Sequence, residues 1–274
     1  MLLMGVVLLS SGCVSQTSFG GGGIVVEDFS PDFASIFPGE EVHLSVLLKN
    51  TGSVDAEVTD MQLTGFDVKS WKMASNTCRE LTGKTIKASG SENCVIALVS
   101  PDTGNLEITY NPKLHVTYGY RSDAVALVTV GTLDEIRRIS MQGGSLPYKT
   151  ESTDGPVSID IKTANPVKVS GPSVEFPVRI TVTNGPGTVC LGSCEPNTWN
   201  KIRLTLGGAL KPSDCPGTIE LDLFKGRSNS FVCNLKASPS DAGAGLTQKR
   251  FQVGSEYEYI VQKETAISIK KRTV

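Results

Sequence analysis

"YGYRSDAVALVTV", Tyr118 to Val130, reappears in outline near the other end of the chain as "YEYIVQKETAISI", Tyr257 to Ile269. Both stretches hold Tyr-x-Tyr, and both place a β-branched residue ten positions after the second tyrosine, Val130 and Ile269. Self-similarity of this kind marks a repeated structural unit and outranks any single motif. Other landmarks keep the same order. "CRELTGKTIKASGSENC" (Cys78 to Cys94) and "CPGTIELDLFKGRSNSFVC" (Cys215 to Cys233) each bracket a glycine and a Thr-Ile pair, Thr85-Ile86 and Thr218-Ile219. Further upstream, "GEEVHLSVLLKNTGSVDAEV" alternates Val42, Leu44, Val46 and Leu48 with His43, Ser45, Leu47 and Lys49 before "NTG" turns the chain. "GPSVEFPVRITVTNGPGTV" does the same with Val174, Phe176, Val178, Ile180 and Val182 until Asn184-Gly185. Period-two alternation is the pattern of a strand with one buried face. The order strand, Cys-strand-Cys, Tyr-x-Tyr hairpin therefore occurs twice.

Composition agrees. Of 274 residues, 28 are Gly and 14 Pro, while 20% are charged, and Val, Ile and Thr recur in short runs broken by turn residues. This predicts an all-β protein of two tandem immunoglobulin-like β-sandwich domains. The first runs from Ile24 to Gly131 and the second from Val157 to Lys271, followed by the tail 272–274. Between them, 132–156 is a linker rich in Gly, Pro, Ser and Thr, opening with a short helix over Leu133 to Met141. Antibody-type Cys, Trp, Cys spacing is absent, so the architecture rather than antibody ancestry is expected. A net charge of -2 leaves no basic stripe to displace counterions, which excludes nucleic acid as a partner.

The first residues, "MLLMGVVLLSSG", are apolar and then small, as at the end of a secretory signal occupying 1–12. This apolar run is too short to span a bilayer, which takes about 20 residues. "SSGC" resembles a lipobox, in which a cysteine becomes diacylglyceryl-modified and N-terminal. Two departures stand out: Ser10 occupies the usual leucine place, with Leu9 one position early, and no Lys or Arg precedes the apolar run. Cys13 is the expected lipidation site, with a plain signal peptide as the alternative. The stretch 13–23, ending in four glycines, reads as a flexible tether. A phosphate-binding loop would need a preceding strand and a following Lys-Ser/Thr, which are not there.

With Cys13 set aside, six cysteines remain, enough for fifteen pairings. The repeat reduces these. Cys78 and Cys94 are the cysteines of the first unit and pair if the units fold separately; Cys215 with Cys233 is the equivalent pair. Cys190 and Cys194 in "CLGSC" are left for each other. A zinc site built from Cys190, Cys194, Cys215 and Cys233 is the alternative, though structural zinc sites favour closer paired spacings. Disulfides imply an exported protein.

Chemistry is sparse. His43 and His115, the two histidines, both lie on alternating strands and read as surface residues. Glu27, Asp28 and Asp32 in "VEDFSPDF" lack calcium-loop spacing. Tyr118, Tyr120, Tyr257 and Tyr259 share strand faces and read as packing residues. Lys270, Lys271 and Arg272 in "IKKRTV" read as solvated charge. No catalytic, metal-binding or cofactor-binding residue is expected.

The stretch Phe37, Pro38-Gly39-Glu40, Val42 to Leu48, Asn50-Thr51-Gly52 resembles the opening of the cell-adhesion-related (CARDB) and S-layer-associated immunoglobulin-like modules of archaeal and bacterial surface proteins. In the second unit Gly171 and Asn184 hold equivalent places, but Pro-Gly-Glu has become Gly-Pro-Ser. The resemblance covers about thirty residues per repeat and implies a non-catalytic extracellular module. The expectation is a surface protein held to membrane lipid through Cys13, with spacer, adhesion or protein-interaction modules facing other envelope proteins or copies of itself. The alternative is a filament or S-layer subunit in which "GGGGIVVEDFSP" adds a strand to a neighbour.

Overall fold

Alternation becomes strand wherever one face meets a core. Residues 21–67, 70–104 and 106–271 are described in the computed structural model; the signal segment, Cys13 and Arg272 lie outside the described residues. The first half forms β1 (Ile24–Pro31), β2 (Ser35–Ile36), β3 (Glu41–Asn50), β4 (Ala56–Thr64), β5 (Lys72–Asn76), a 3-10 turn (Thr77–Leu81), β6 (Thr85–Ile86), β7 (Ser91–Val99), β8 (Ile108–Tyr110) and β9 (Lys113–Thr132). Helix α1 (Leu133–Met141) and β10 (Lys149–Ser152) follow. The second half forms β11 (Val157–Thr163), β12 (Val167–Val169), β13 (Val174–Asn184), β14 (Thr188–Cys190), β15 (Lys201–Gly208), β16 (Lys211–Pro212), β17 (Thr218–Asp222), β18 (Ser228–Ala237), helix α2 (Pro239–Ala242), β19 (Leu246–Glu264) and β20 (Ile267–Ile269).

The fold is all-β, in layers. Two four-stranded sheets, ordered β1-β3-β7-β5 and β11-β13-β18-β16, are the repeated halves. Both pack on one large sheet ordered β17-β15-β19-β9-β4-β6, to which β10, β12 and β14 add at the sides. A small sheet, β2-β20-β8, joins the C-terminal strand to the first half. The buried apolar residues of both halves form one contiguous cluster, from Ile24 to Ile269.

The Tyr-x-Tyr segments are not hairpins. Each lies inside a single long strand, β9 of 20 residues and β19 of 19. These two strands pair antiparallel along their whole common length, from Leu246 opposite Gly131 to Glu264 opposite Lys113. The physical reason is the length of the alternation: Leu114, Val116, Tyr118, Tyr120, Ser122, Ala124, Ala126, Val128 and Val130 are all buried. One sandwich buries about 5–6 residues of a strand, so β9 continues past its own unit and into the other.

This changes the expected boundaries. The first half of β9 pairs with β4, whereas its second half pairs with β10 and, in parallel, with β12. In return the end of the chain, β20, pairs with β2 and β8. The two halves of the chain thus exchange their last strands and share a sheet. Within 132–156, α1 forms over Leu133–Met141 as read from sequence, but β10 belongs to the shared sheet.

The glycine tract also ends sooner than a tether to Gly23 would require. Gly22 and Gly23 are buried, and Gly23 has φ +100° with Tyr118 Oη 2.7 Å from where a Cβ would sit. Only glycine fits there without strain. The neighbouring Asn-Thr-Gly turn is built the same way. Buried Asn50 donates from Nδ2 to Val54 O (2.8 Å) and Ile86 O (3.0 Å) and accepts from Gly52 N (3.0 Å), while a Cβ on Gly52 would fall 2.0 Å from Tyr120 Oη.

Candidate functional site

Within the long pairing, Tyr118 faces Tyr259 and Tyr120 faces Tyr257. The register makes the halves mutually equivalent, as in an isologous interface, with Gly119 opposite Glu258 at its centre. The rings close a cluster, with centroids 5.7 Å apart for Tyr118 and Tyr259 and 6.3 Å for Tyr120 and Tyr257. Each hydroxyl is then satisfied by backbone. Ile24 N–H is directed at Tyr118, Tyr120 donates to Asp154 O (2.6 Å), and Gly187 N–H donates to Tyr259 Oη (2.9 Å). Ser122 Oγ donates its one proton to Val157 O (2.7 Å), so the 2.8 Å contact between Ser122 and Tyr257 is donated by the tyrosine, which accepts from Val157 N (3.3 Å). Burial pushes the Tyr259 hydroxyl up to about 12, and those of Tyr118 and Tyr257 also well upward. The four phenols stay neutral at physiological pH. Their chemistry is that of a seam joining the sandwiches, and they offer no base or nucleophile.

The symmetry is broken above this seam. Strand β14 ends in Cys190, paired with Glu258, and the chain then bulges over 191–199 before returning through a bridge between Cys190 and Trp199. The Cys190–Cys194 disulfide clips this loop and Cys194 N–H donates to Glu258 Oε2 (3.1 Å). Trp199, 44% exposed, stands at its edge. Polar grooves flank the loop on the outer face of the shared sheet, one lined by His115, Glu195, Trp199, Glu258 and Gln262, the other by Arg121, Arg203, Gln252 and Glu256. Sequence reasoning identified the bridge but not the face it crowns.

The remaining residues singled out by sequence do not converge. His43 Nδ1 lies 2.9 Å from Asp32 Oδ2 on the exposed side of β3 and its Nε2 lies 3.1 Å from Glu41. His115 sits on another sheet, 3.0 Å from Thr64 Oγ1. Glu27 pairs with Lys49 and Asp28 accepts from Ser30, so neither joins Asp32 in a common ligand set. Lys270 pairs with Glu107. The hydrogen bond from His43 to Asp32 raises the histidine above its ordinary 6.5, whereas desolvation and then the charge of Lys113 lower His115 below it. Because the folded chain holds the His43 proton more tightly than the unfolded chain, this pair stabilises below that ordinary value and fades as pH rises through the folded one. His115 acts in the opposite sense, opposing folding as pH falls. In a proton NMR titration of the imidazole signals, His43 is expected to titrate last on acid-to-base change and His115 first; the reverse order would contradict the contacts.

All six remaining cysteines are bridged, as Cys78–Cys94, Cys190–Cys194 and Cys215–Cys233. Asp214 lies beside the last pair, but sulfurs bonded to each other leave no thiolates for the zinc alternative. Three bridges place the folded chain in an oxidising, extracellular environment. Among the described residues no helix is long and apolar enough to cross a membrane.

No family model matches this chain, and no curated protein does. Among solved structures it is similar to the secreted serine protease VesC from Vibrio cholerae, at 11% identity over 88% of this chain and 51% of that one, with a TM-score of 0.23. The chain thus spans about half the length of that protease. A structure described as manganese lipoxygenase of Gaeumannomyces graminis and partial zonadhesin of Komagataella pastoris gives 9% identity, 90% and 93% coverage and a TM-score of 0.12. Neither superposition carries an argument about chemistry. What fold and site define is a class: an all-β sandwich protein with three disulfides whose halves share one large sheet.

Proposed function

We propose that this protein is a non-catalytic, lipid-anchored component of the cell surface whose paired sandwiches serve as spacer, adhesion or protein-interaction modules. The observation that supports this reading best is the weld itself. Pairing of β9 with β19 from end to end makes one stiff body out of two modules, each cross-linked internally by disulfides. Stiffness suits a part that holds other components at a fixed distance. The chain enters this body at its centre, where Gly22 packs on Gly52 and Asp154, so an anchor at Cys13 would hold the molecule by its middle with both outer ends free. In the filament alternative β1 would be donated to a neighbour, whereas here it is paired with β3 of its own sheet.

Intact-mass spectrometry of the native membrane fraction tests the anchor. The expected species begins at Cys13 and carries a diacylglyceryl adduct, and Cys13→Ser is expected to move nearly all of the protein into the medium. An unmodified wild-type chain released into the medium would overturn the proposal.

A further inference from the structure

We infer that the first sandwich carries a binding site for a small amphiphile with an anionic head, a medium-chain or aromatic carboxylate. This goes beyond the spacer reading and does not depend on the lipid anchor. A cavity of about 230 Å³ opens between the layers of the first half, with an apolar wall that includes Met61, Leu63, Phe66, Ile96, Leu98 and Leu114. An engineered apolar cavity of about 150 Å³ holds a benzene, so this one has room for a ring or a short hydrocarbon chain.

Of the polar groups at the cavity, Gln62 and Thr82 can accept hydrogen bonds, whereas Trp71, Arg79 and Asn76 bring donors. Trp71 lines it, is only 4% exposed, and has a buried Nε1 that meets no acceptor among the described residues. An indole N–H can only donate. Arg79, on the exposed 3-10 turn, contributes a guanidinium with no ion-pair or side-chain hydrogen-bond partner among the described residues. Asn76 spends its Oδ1 on Cys78 N (3.0 Å), which leaves its amide N–H groups to offer. Among the described residues no carboxylate lines the cavity. Three donors beside an apolar hollow call for a ligand with an apolar body and a negatively charged acceptor.

The repeat isolates this feature. In the first half seven residues of sequence separate β4 from β5, and Phe66 and Trp71 among them line the cavity. In the second half only Ala209 and Leu210 separate β15 from β16, and Leu210 is buried. The Cys78–Cys94 bridge pins the turn that carries Arg79. Scaffold elements recur in both units; a binding site needs only one copy.

Isothermal titration calorimetry on the full extracellular chain with octanoate, octanol and octylammonium tests this directly. Octanoate is expected to bind, octylammonium not to, and Arg79→Ala to weaken octanoate about tenfold while changing octanol by less than about twofold. Trp71→Phe, which keeps the ring contacts with Phe66 and Tyr110 but removes the N–H, is expected to weaken octanoate as well. No heat from octanoate with the wild-type chain, equal binding of octylammonium, or an Arg79→Ala variant that binds octanoate unchanged would each overturn the assignment. Loss of lipid anchoring would leave these results unaffected, so failure of one proposal is distinguishable from failure of the other.

Discussion

Replacing Tyr118 by alanine is expected to destabilise the whole chain by about 3–5 kcal/mol, the range for losing a buried aromatic side chain. Tyr118 is 1% exposed, packs on Tyr259 across the seam and on Tyr120 along its own strand, and receives the Ile24 N–H. The substitution opens a cavity and orphans that donor together. Because the seam belongs to both sandwiches, the loss should lower one common melting transition by roughly 6–20 °C instead of melting the first half alone. Phe33→Ala, at a site 64% exposed, is the control and should stay within about 0.5 kcal/mol. Differential scanning calorimetry reads both effects. Two transitions, of which Tyr118→Ala moves only one, would show that the halves fold independently.

The second large effect comes from the bridges. Cys78 and Cys94 are 16 residues apart in sequence, and Cys215 and Cys233 are 18 apart. Cross-links closing loops of this size restrict the unfolded chain by about 3 kcal/mol each, against about 2 kcal/mol for a loop as short as that of Cys190–Cys194. Cys78→Ala with Cys94→Ala is therefore expected to cost about 3 kcal/mol and roughly 6–12 °C in melting temperature. Alanine is chosen because both positions are buried and a serine hydroxyl would add an unpaired polar group. The Cys190–Cys194 double alanine should cost less, since that loop lies on the outer face. If denaturant titration found the short-loop variant the less stable of the two, the chain-restriction account of the bridges would fail.

Much of this was legible in the sequence for a local reason. Val42 to Leu48 and Val174 to Val182 announce strands because the pleat alternates faces, and Pro38-Gly39 and Asn184-Gly185 announce turns because their backbone preferences are intrinsic. The bridge pattern followed from the repeat. Partner choice between strands is a different kind of information, since alternation says which face is buried and not which neighbour lies alongside. Reading Tyr-x-Tyr as a hairpin missed that the alternation from Leu114 to Val130 continues without a break through Gly119, at the seam's centre, and through Ser122-Asp123, and holds no Pro or Asn-Gly pair. An uninterrupted run of that length was the available signal for a strand shared between units. The cavity at Trp71 was illegible because it depends on a loop differing between the repeats and on the absence of an acceptor, neither of which has a local pattern. The same holds for Gly22 and Gly23: composition reads them as tether, while their packing on Tyr118, Gly52 and Asp154 is set by distant residues.

Amide hydrogen exchange on the intact, oxidised chain tests the shared sheet most directly. The hydrogen-bonded amides of 114–131 and 246–263 are expected to be among the slowest, and to exchange with one common opening free energy equal to that of global unfolding. If the β9 amides before Gly119 and those after Asp123 opened with separate free energies, each matching a different half of the chain, the sandwiches would be independent modules and the weld on which this account rests would not exist.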